Sequence, residues 1–232
     1  MPRAIALVLF AGCTATGPAP VHPTTPPPAP RCVAIVDVGG ASGTGGIDGA
    51  RGAPGPAAET RGYDGQAGDS GAPGDAGPMV DVALGLSGAP AHPIARITAA
   101  GHPTRDVALD PTCPPIVIRA RGGDGGAGGD GGAGGSGGTS FHRADAWRTG
   151  PDGDVGDGGD GGAGGAGGRV VVRYDERYPE LLSRITIDNR GGDAGSGGSG
   201  RNDRASGSAG EPGRAGPAPE YLPVAPSAVF LP

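Results

Sequence analysis

Short apolar runs of strand length recur along the chain, separated by long stretches with few large apolar residues. In Ile116–Arg121 apolar and polar positions alternate, as in a strand with one buried face. The other runs are rich in Val, Ile and Leu, which favour strands. The pattern predicts strands in five internal segments and an edge strand in the proline-containing tail: Val33–Val38, Met79–Leu86, Ile116–Arg121, Val170–Tyr174, Arg184–Asp188 and Glu220–Pro232.

Between these runs glycine recurs with a period of three residues. Two segments have one glycine per triplet, two have glycine at two of every three positions, and a last set is broken. We number them tract 1 (Gly40–Ala57), tract 2 (Gly62–Met79), tract 3 (Gly122–Thr139), tract 4 (Gly153–Arg169, with two glycines per triplet from Gly158 onward), tract 5 (Gly191–Gly200) and tract 6 (Gly207–Ala218). The period fits neither an α-helix nor a strand. It is that of the left-handed polyproline-II type of helix, which has three residues per turn.

The tracts alternate with the apolar runs in a fixed order of strand, outward tract, turn, returning tract and strand. This order predicts three hairpins, at about 39–79, 121–169 and 190–219. We expect a mostly β or irregular fold, a small β base carrying a bundle of left-handed polyglycine-II helices arranged as hairpins. Tracts 3 and 4 have two glycines per triplet, so two of their three edges would allow close backbone approach. They are expected at the centre of the bundle.

This layout of glycine tracts resembles that of polyglycine-II bundle proteins. These include the insect glycine-rich antifreeze protein and the tip adhesins of phage long tail fibres, and tracts 3 and 4 are similar to those of mycobacterial glycine-rich surface proteins. The resemblance covers about half of the chain. It implies a bundle architecture in which loops at the tips carry receptor recognition.

Two other architectures are compatible with the composition. Of 232 residues, 52 are Gly and 26 are Pro, which in an aperiodic chain indicates disorder, here a disordered stalk. Tracts 1 and 2 also fit a collagen-like trimeric stalk. Tracts 3 and 4, however, contain no proline between Gly122 and Thr139 or between Gly153 and Arg169, and a triple helix uses proline for stiffness.

The N-terminus is typical of an export signal. Arg3 precedes a short apolar run, and Leu9-Phe10-Ala11-Gly12-Cys13 resembles the bacterial lipoprotein box. The resemblance implies a signal peptide at 1–12, lipidation of Cys13, and a lipid anchor in the outer membrane at the bacterial cell surface. Residues 13–31 are then a Pro-rich tether, and 32–232 are the folded part. An ordinary signal peptide with an unrelated cysteine is the alternative.

Cys32 and Cys113 each stand just before an apolar, strand-like run. Export implies an oxidising compartment, where disulfides form. Equivalent positions at the bases of two strands make a bridge between Cys32 and Cys113 plausible. A reactive thiol or a metal pair has no supporting His or Cys nearby.

Charge and motif content argue against several functions. The net charge is −6 and every basic residue is Arg, which makes nucleic acid an unfavourable partner and excludes a lysine-dependent phosphate loop. No catalytic triad can be assembled, so no enzymatic activity and no cofactor are expected. A carboxylate cluster is a weak candidate Ca²⁺ site, with a solvated acidic edge as the alternative: Asp152, Asp154, Asp157 and Asp160.

The turn of the second hairpin holds the residue types enriched at binding hot spots, including the single Trp. The ligand-binding candidates are Phe141, His142, Arg143, Trp147 and Arg148. Alternatively, Trp147 and Phe141 fold back to cap the open end of the bundle. We expect a lipid-anchored structural or adhesive surface protein that presents tip loops to a glycan or a protein. A collagen-like stalk or an ice- or matrix-interacting protein is the alternative.

Overall fold

A computed structural model of the chain describes residues 32–33, 35–89, 91–142, 146–200 and 204–226, with the side chains of residues 141, 142 and 146 left aside. Within these ranges the chain forms ten strands and a 3₁₀-helix at Pro179–Arg184. The strands are β1 (Ile35–Asp37), β2 (Val80–Ser87), β3 (His92–Ala99), β4 (Arg105–Ala108), β5 (Ile116–Arg119), β6 (Thr139–His142), β7 (Ala146–Thr149), β8 (Val170–Asp175), β9 (Ile185–Asp188) and β10 (Glu220–Val224).

The strands form three sheets. The first is parallel, with the order β1-β5-β9. The second has the order β10-β8-β2-β3-β4, where β10, β8 and β2 are parallel and β2, β3 and β4 antiparallel. The third is the isolated β6–β7 hairpin, in which Phe141 is paired with Trp147.

The hydrophobic core unites the first two sheets. Ile118 of β5, Val82 and Leu84 of β2 and Val172 of β8 are fully buried, and Leu181 of the 3₁₀-helix packs against the same cluster. In β5 the inward-facing residues alternate with the partly exposed Val117 and Arg119. This confirms the one-faced burial that the sequence pattern predicts.

The predicted fold class, a small β base carrying a bundle of polyglycine-II helices, is wrong. The regular structure of the described residues is three β-sheets and one 3₁₀-helix, and the glycine tracts are assigned neither helix nor strand. The physical reason lies in their hydrogen bonds, because the tracts carry the pairing of the sheet strands onward instead of forming separate helical elements. The ladder Val38 N–H to Arg119 O continues as Gly40 N–H to Arg121 O and Gly43 N–H to Asp124 O, all at 2.8–2.9 Å.

Two layers of tracts result from this continuation. Tracts 1, 3 and 5 follow β1, β5 and β9 and are paired in the same order. Tracts 2, 4 and 6 lead into β2, β8 and β10 and form the other layer, with Gly68 N–H donating to Asp157 O at 2.9 Å and Gly161 N–H to Ser208 O at 2.8 Å. Within a layer every third residue donates a hydrogen bond to the neighbouring tract, which is the spacing of the glycines.

Hydrogen bonds at the same spacing join the two layers. Gly126 N–H of tract 3 donates to Ala72 O of tract 2, and Gly162 N–H of tract 4 donates to Gly126 O, both at 2.8 Å. Tracts 3 and 4 lie in the middle of their layers. In most two-glycine triplets, the N–H of the first glycine therefore donates to a neighbouring tract of the same layer. The N–H of the second glycine donates to a tract of the opposite layer.

Close backbone approach makes glycine necessary in these tracts. A Cβ atom on Gly126 would lie 2.0 Å from Thr44 O, and one on Gly159 would lie 2.0 Å from Asp69 O. Neither carbonyl can yield without breaking the ladder, because both belong to backbone. At Gly45 the nearest atom, Ala127 O, is 3.6 Å away, so this glycine is not required by packing.

The disulfide between Cys32 and Cys113 is confirmed, with the two Cα atoms 5.6 Å apart. It links the segment before β1 to the segment before β5, the two neighbours in the parallel sheet. Arg184 donates from its guanidinium to the carbonyl oxygens of Asp110 and Cys113 and so fixes the loop that carries the second cysteine.

Several strands were not predicted from the sequence. Strands β3 and β4 lie in a region that is not among the predicted strands, and β6 and β7 occupy the segment predicted as the turn of the second hairpin. The tail strand β10 lies at a sheet edge despite Pro223, as predicted for the segment from Glu220. In the described ranges no helix is both long and apolar enough to cross a membrane.

Candidate functional site

The β6–β7 hairpin lies at the end of tracts 3 and 4 that is remote from the two large sheets. It follows tract 3 directly, and Gly150, the residue after β7, donates its N–H to Gly138 O at 2.9 Å. The turn between tracts 1 and 2 lies beside it, since Gly138 N–H donates to Thr60 O at 2.8 Å. In that turn Glu59 has a φ of 59°, the left-handed conformation that suits a tight reversal.

Trp147 is the large aromatic side chain that this hairpin presents to solvent. It is 68% exposed, and Arg148 and Thr149 beside it are exposed as well. The alternative in which Trp147 folds back to cap the ends of the tracts would bury this side chain, so the exposure favours the binding interpretation. Trp has only two side-chain torsions and loses little conformational entropy on binding, and both Trp and Arg are frequent at recognition surfaces.

An ion cluster stands next to the hairpin and ties three tract ends together. Asp154 of tract 4 accepts from Arg61 at 2.8 Å and from Arg204 at 2.6 Å, and Arg61 also lies 3.2 Å from Asp64. These side chains are about half exposed, so each pair is screened and contributes little to stability by itself. The hydrogen bond and charge of Arg61, followed by those of Arg204, hold the pKa of Asp154 below its usual value.

Three of the four carboxylates considered as a weak calcium site bond to protein groups. Asp152 Oδ1 accepts from Gly137 N–H at 2.9 Å, Asp154 is held in the ion cluster, and Asp160 Oδ1 accepts from the N–H and hydroxyl of Ser208 at 2.7 and 2.8 Å. Asp157 follows the same outward-facing row of tract 4. Within the described part of the chain no group of three or more His, Cys, Asp or Glu residues is placed to hold a metal ion.

Asp160 is one case of a recurring structural contact on the outer faces. In these contacts a non-glycine residue of a triplet donates its backbone N–H to the carboxylate of an Asp in the adjacent tract. Asp48 Oδ1 accepts from Asp130 N–H at 2.9 Å, and Asp130 Oδ1 in turn accepts from Ser199 N–H at 2.7 Å. Asp at these positions therefore serves as a cross-link between tracts.

The remaining predicted site residues fall into two groups. Cys13, the proposed lipidation site, and Arg143 lie outside the described residues. Phe141 and His142 belong to β6, and the backbone pairing brings Phe141 opposite Trp147. The hairpin thus gathers four of the five ligand-binding candidates on two adjacent strands.

Sequence reasoning missed a second polar site, which lies at the start of tracts 1 and 3. Arg119 and Arg121 line a pocket of about 140 Å³ together with Asp37, Ser42 and Asp124. The signal was present in the alternation of Ile116–Arg121, since that alternation places both arginines on the face opposite Ile118. The residues were interpreted only as part of a strand.

The chain was compared with protein families, with curated proteins and with solved structures. No family model, curated protein or solved structure matches it.

Proposed function

We propose that the protein is an exported, lipid-anchored surface protein whose structural or adhesive role is to present the β6–β7 hairpin. The observation that carries this proposal is Trp147, which is 68% exposed on a hairpin fixed at the end of the glycine tracts. Trp is among the residues most enriched at binding hot spots, so its exposure on this hairpin supports a binding role. The lipoprotein-like sequence ending at Cys13 supports the anchor, and residues 13–31 support a tether.

The glycine tracts support the role of a rigid support for this hairpin. Their backbone N–H groups are bonded at every third residue, both within and between the layers. About eighteen residues of near-extended chain span up to ~60 Å, which separates the hairpin from the two large sheets. A support of this kind orders the binding residues before contact and lowers the entropic cost of association.

Among the alternatives, the collagen-like trimeric stalk has less support. A triple helix uses its glycine N–H groups for bonds between three chains, whereas here these groups bond within one chain. An ice- or matrix-binding role needs a flat, uncharged face. The outer faces carry Asp48, Asp124, Asp130, Asp157 and Asp160, which favours the adhesive role.

The test is binding of the purified protein to an array of surface glycans and immobilised cell-surface proteins. Trp147→Ala and Arg148→Ala are compared with the wild-type protein, and Tyr221→Ala is the matched control because Tyr221 is also an exposed aromatic, on β10. We expect saturable binding that the hairpin variants weaken about tenfold or more and that the control retains. Equal binding by all variants would remove the adhesive role of the hairpin.

The anchor has a separate test. In a bacterial host that processes lipoproteins, wild-type protein is expected in the membrane fraction and the Cys13→Ser variant in the soluble fraction. Identical fractionation of the two would contradict lipidation at Cys13.

A further inference from the structure

We propose that the pocket between β1, β5 and the first triplets of tracts 1 and 3 binds a small oxyanion, a carboxylate or phosphate group, through Arg119 and Arg121. The pocket has a volume of about 140 Å³ and lies on the outer face of the parallel sheet. This is well below the ~300 Å³ at the lower end of pockets for whole drug-sized ligands. It therefore accommodates one small anionic group of a ligand.

The shape of the pocket follows from the residues around it. Arg119 and Arg121 are alternate residues of one strand and its extension, so their Cα atoms are about 6–7 Å apart and their side chains leave the same face. Ile118 and Ala120, between and beside them, are fully buried on the opposite face. The walls next to the arginines are glycine backbone, which leaves the space that side chains would fill: Gly39, Gly40, Gly122 and Gly123.

The two guanidinium groups have no hydrogen-bond partner in the described part of the chain. The Nε atoms of Arg119 and Arg121 are buried without a hydrogen-bond partner, and within the described residues neither side chain forms an ion pair. Many other arginines of the chain do form one, such as Arg96 with Asp106 at 2.8 Å and Arg173 with Asp81 at 2.6 Å. Arginine stays charged at all physiological pH values, so its donors require acceptors from solvent or from a ligand.

The carboxylates around the pocket are already engaged. Asp188 of β9 binds Arg190 through both oxygens, at 2.9 and 3.0 Å. Asp37 Oδ1 accepts from Gly39 N–H at 3.0 Å, and Asp124 Oδ1 accepts from Asp193 N–H at 2.8 Å. Asp37 and Asp124 line the recess and Arg121 acts electrostatically on Asp188, but none of these carboxylates is hydrogen-bonded to Arg119 or Arg121. An oxyanion between the two guanidinium groups would accept charge-assisted hydrogen bonds from both.

The rim adds a preference for the rest of the ligand. Asp37 and Asp124 each have a second carboxylate oxygen, and Ser42 adds a hydroxyl. These groups accept hydrogen bonds from hydroxyls adjacent to the anionic group, as in a sugar acid or a sugar phosphate. Both ligand types carry an oxyanion, which is a carboxylate in a sugar acid and a phosphate in a sugar phosphate. A titration with each anion distinguishes the two.

The experiment is an NMR titration of the ¹⁵N-labelled full chain with sodium glucuronate or sodium phosphate, with sodium chloride at equal ionic strength as reference. We expect saturable shifts of the amide signals of Gly39, Gly40, Gly122 and Gly123 with at least one oxyanion. Saturation by glucuronate alone identifies a carboxylate site, and saturation by phosphate alone a phosphate site. If neither anion gives saturable shifts beyond those in chloride, the proposal is overturned.

Variants test the arginines directly. Arg119→Gln and Arg121→Gln should each weaken binding about tenfold or more. Arg51→Gln is the matched control, because Arg51 is an exposed arginine on tract 1, outside the pocket. Undiminished binding by both pocket variants overturns the proposal, and the dispersed spectrum of each variant reports whether it is folded.

Discussion

The carbonyl oxygen of Thr44 faces Gly126 so closely that a Cβ atom on residue 126 would lie only 2.0 Å from it. We therefore expect Gly126→Ala to destabilise the protein by about 2–3 kcal/mol, because a backbone ladder must separate to admit one methyl group. The measurement is the free energy of unfolding in denaturant. The contact is between backbone atoms, so no side-chain rotation can relieve it.

Gly45→Ala is the control for that substitution, in the same pair of tracts. A Cβ at Gly45 would meet Ala127 O at 3.6 Å, an ordinary van der Waals distance. We expect a change within about 1 kcal/mol, in the stabilising direction if the unfolded chain loses conformational freedom. Equal destabilisation by the two substitutions would contradict the packing described for the tracts.

Removal of the disulfide should weaken the sheets. Cys32 and Cys113 are separated by 81 positions, and such a cross-link restricts the unfolded chain strongly. We expect the Cys32→Ser/Cys113→Ser double variant to lose about 2–5 kcal/mol of unfolding free energy. Denaturant unfolding of the variant, compared with the wild type in the presence and absence of a reductant, provides the measurement. A reductant that leaves the wild-type transition unmoved would argue against the bridge.

Acid should destabilise the protein through its bonded carboxylates. The hydrogen bonds from the backbone N–H and hydroxyl of Ser208 lower the pKa of Asp160 in the folded state, and Arg61 lowers that of Asp154. Since these pKa values lie below their unfolded values, the stabilisation is complete above about pH 4 and is lost as the pH falls through the folded-state values. Melting temperatures measured from pH 7 down to pH 2 should fall in this lower range.

Asp160→Asn tests the contribution of one carboxylate to that profile. The amide oxygen can still accept from Ser208 but does not titrate, so the variant should lose less stability between pH 5 and pH 2 than the wild type. Asp157→Asn is the comparison on the same row. An Asp160→Asn profile parallel to that of the wild type would contradict the role given to the bond from Ser208.

Fluorescence reports the exposure of Trp147, since it is the single Trp of the chain. With 68% of the residue exposed, the emission maximum of the native protein should lie close to that of the unfolded chain. Iodide should quench it efficiently in both states. A pronounced blue shift on folding, with protection from iodide, would indicate the capping arrangement instead.

The sequence was most informative where side chains decide the structure. Alternation in Ile116–Arg121 identified β5 and its buried face, and the positions of Cys32 and Cys113 before strand-like runs identified the disulfide. Strands β3 and β4 were not predicted, because the Pro- and His-containing segment around His92 lacks a clean alternation.

The glycine period was informative about contacts and misleading about regular structure. It indicated positions such as Gly126 and Gly162, where backbones approach, but it could not show that the tracts continue the ladders of β1, β5 and β8.

The Asp residues of the tracts illustrate the same limit. Asp160 was interpreted as part of a solvated edge or a weak metal site. The sequence around it contains no local pattern that shows its bond to Ser208, which lies in another tract. Arg119 and Arg121 were missed as a site for a related reason, since their lack of ion-pair partners appears only when β1, β5 and β9 are placed together.

The spacing of the ladders sets a rule for how this molecule can change in length. Gly43, Gly126 and Gly162 belong to one level of the structure, joined by bonds from Gly43 N–H to Asp124 O and from Gly162 N–H to Gly126 O. An insertion of one or two residues in a single tract would put every later glycine of that tract opposite a side chain. Three residues added to all the tracts of a level would instead insert a complete new level. The protein can therefore lengthen or shorten by whole levels of three residues per tract, with the arrangement of the tracts and the structures at both ends preserved.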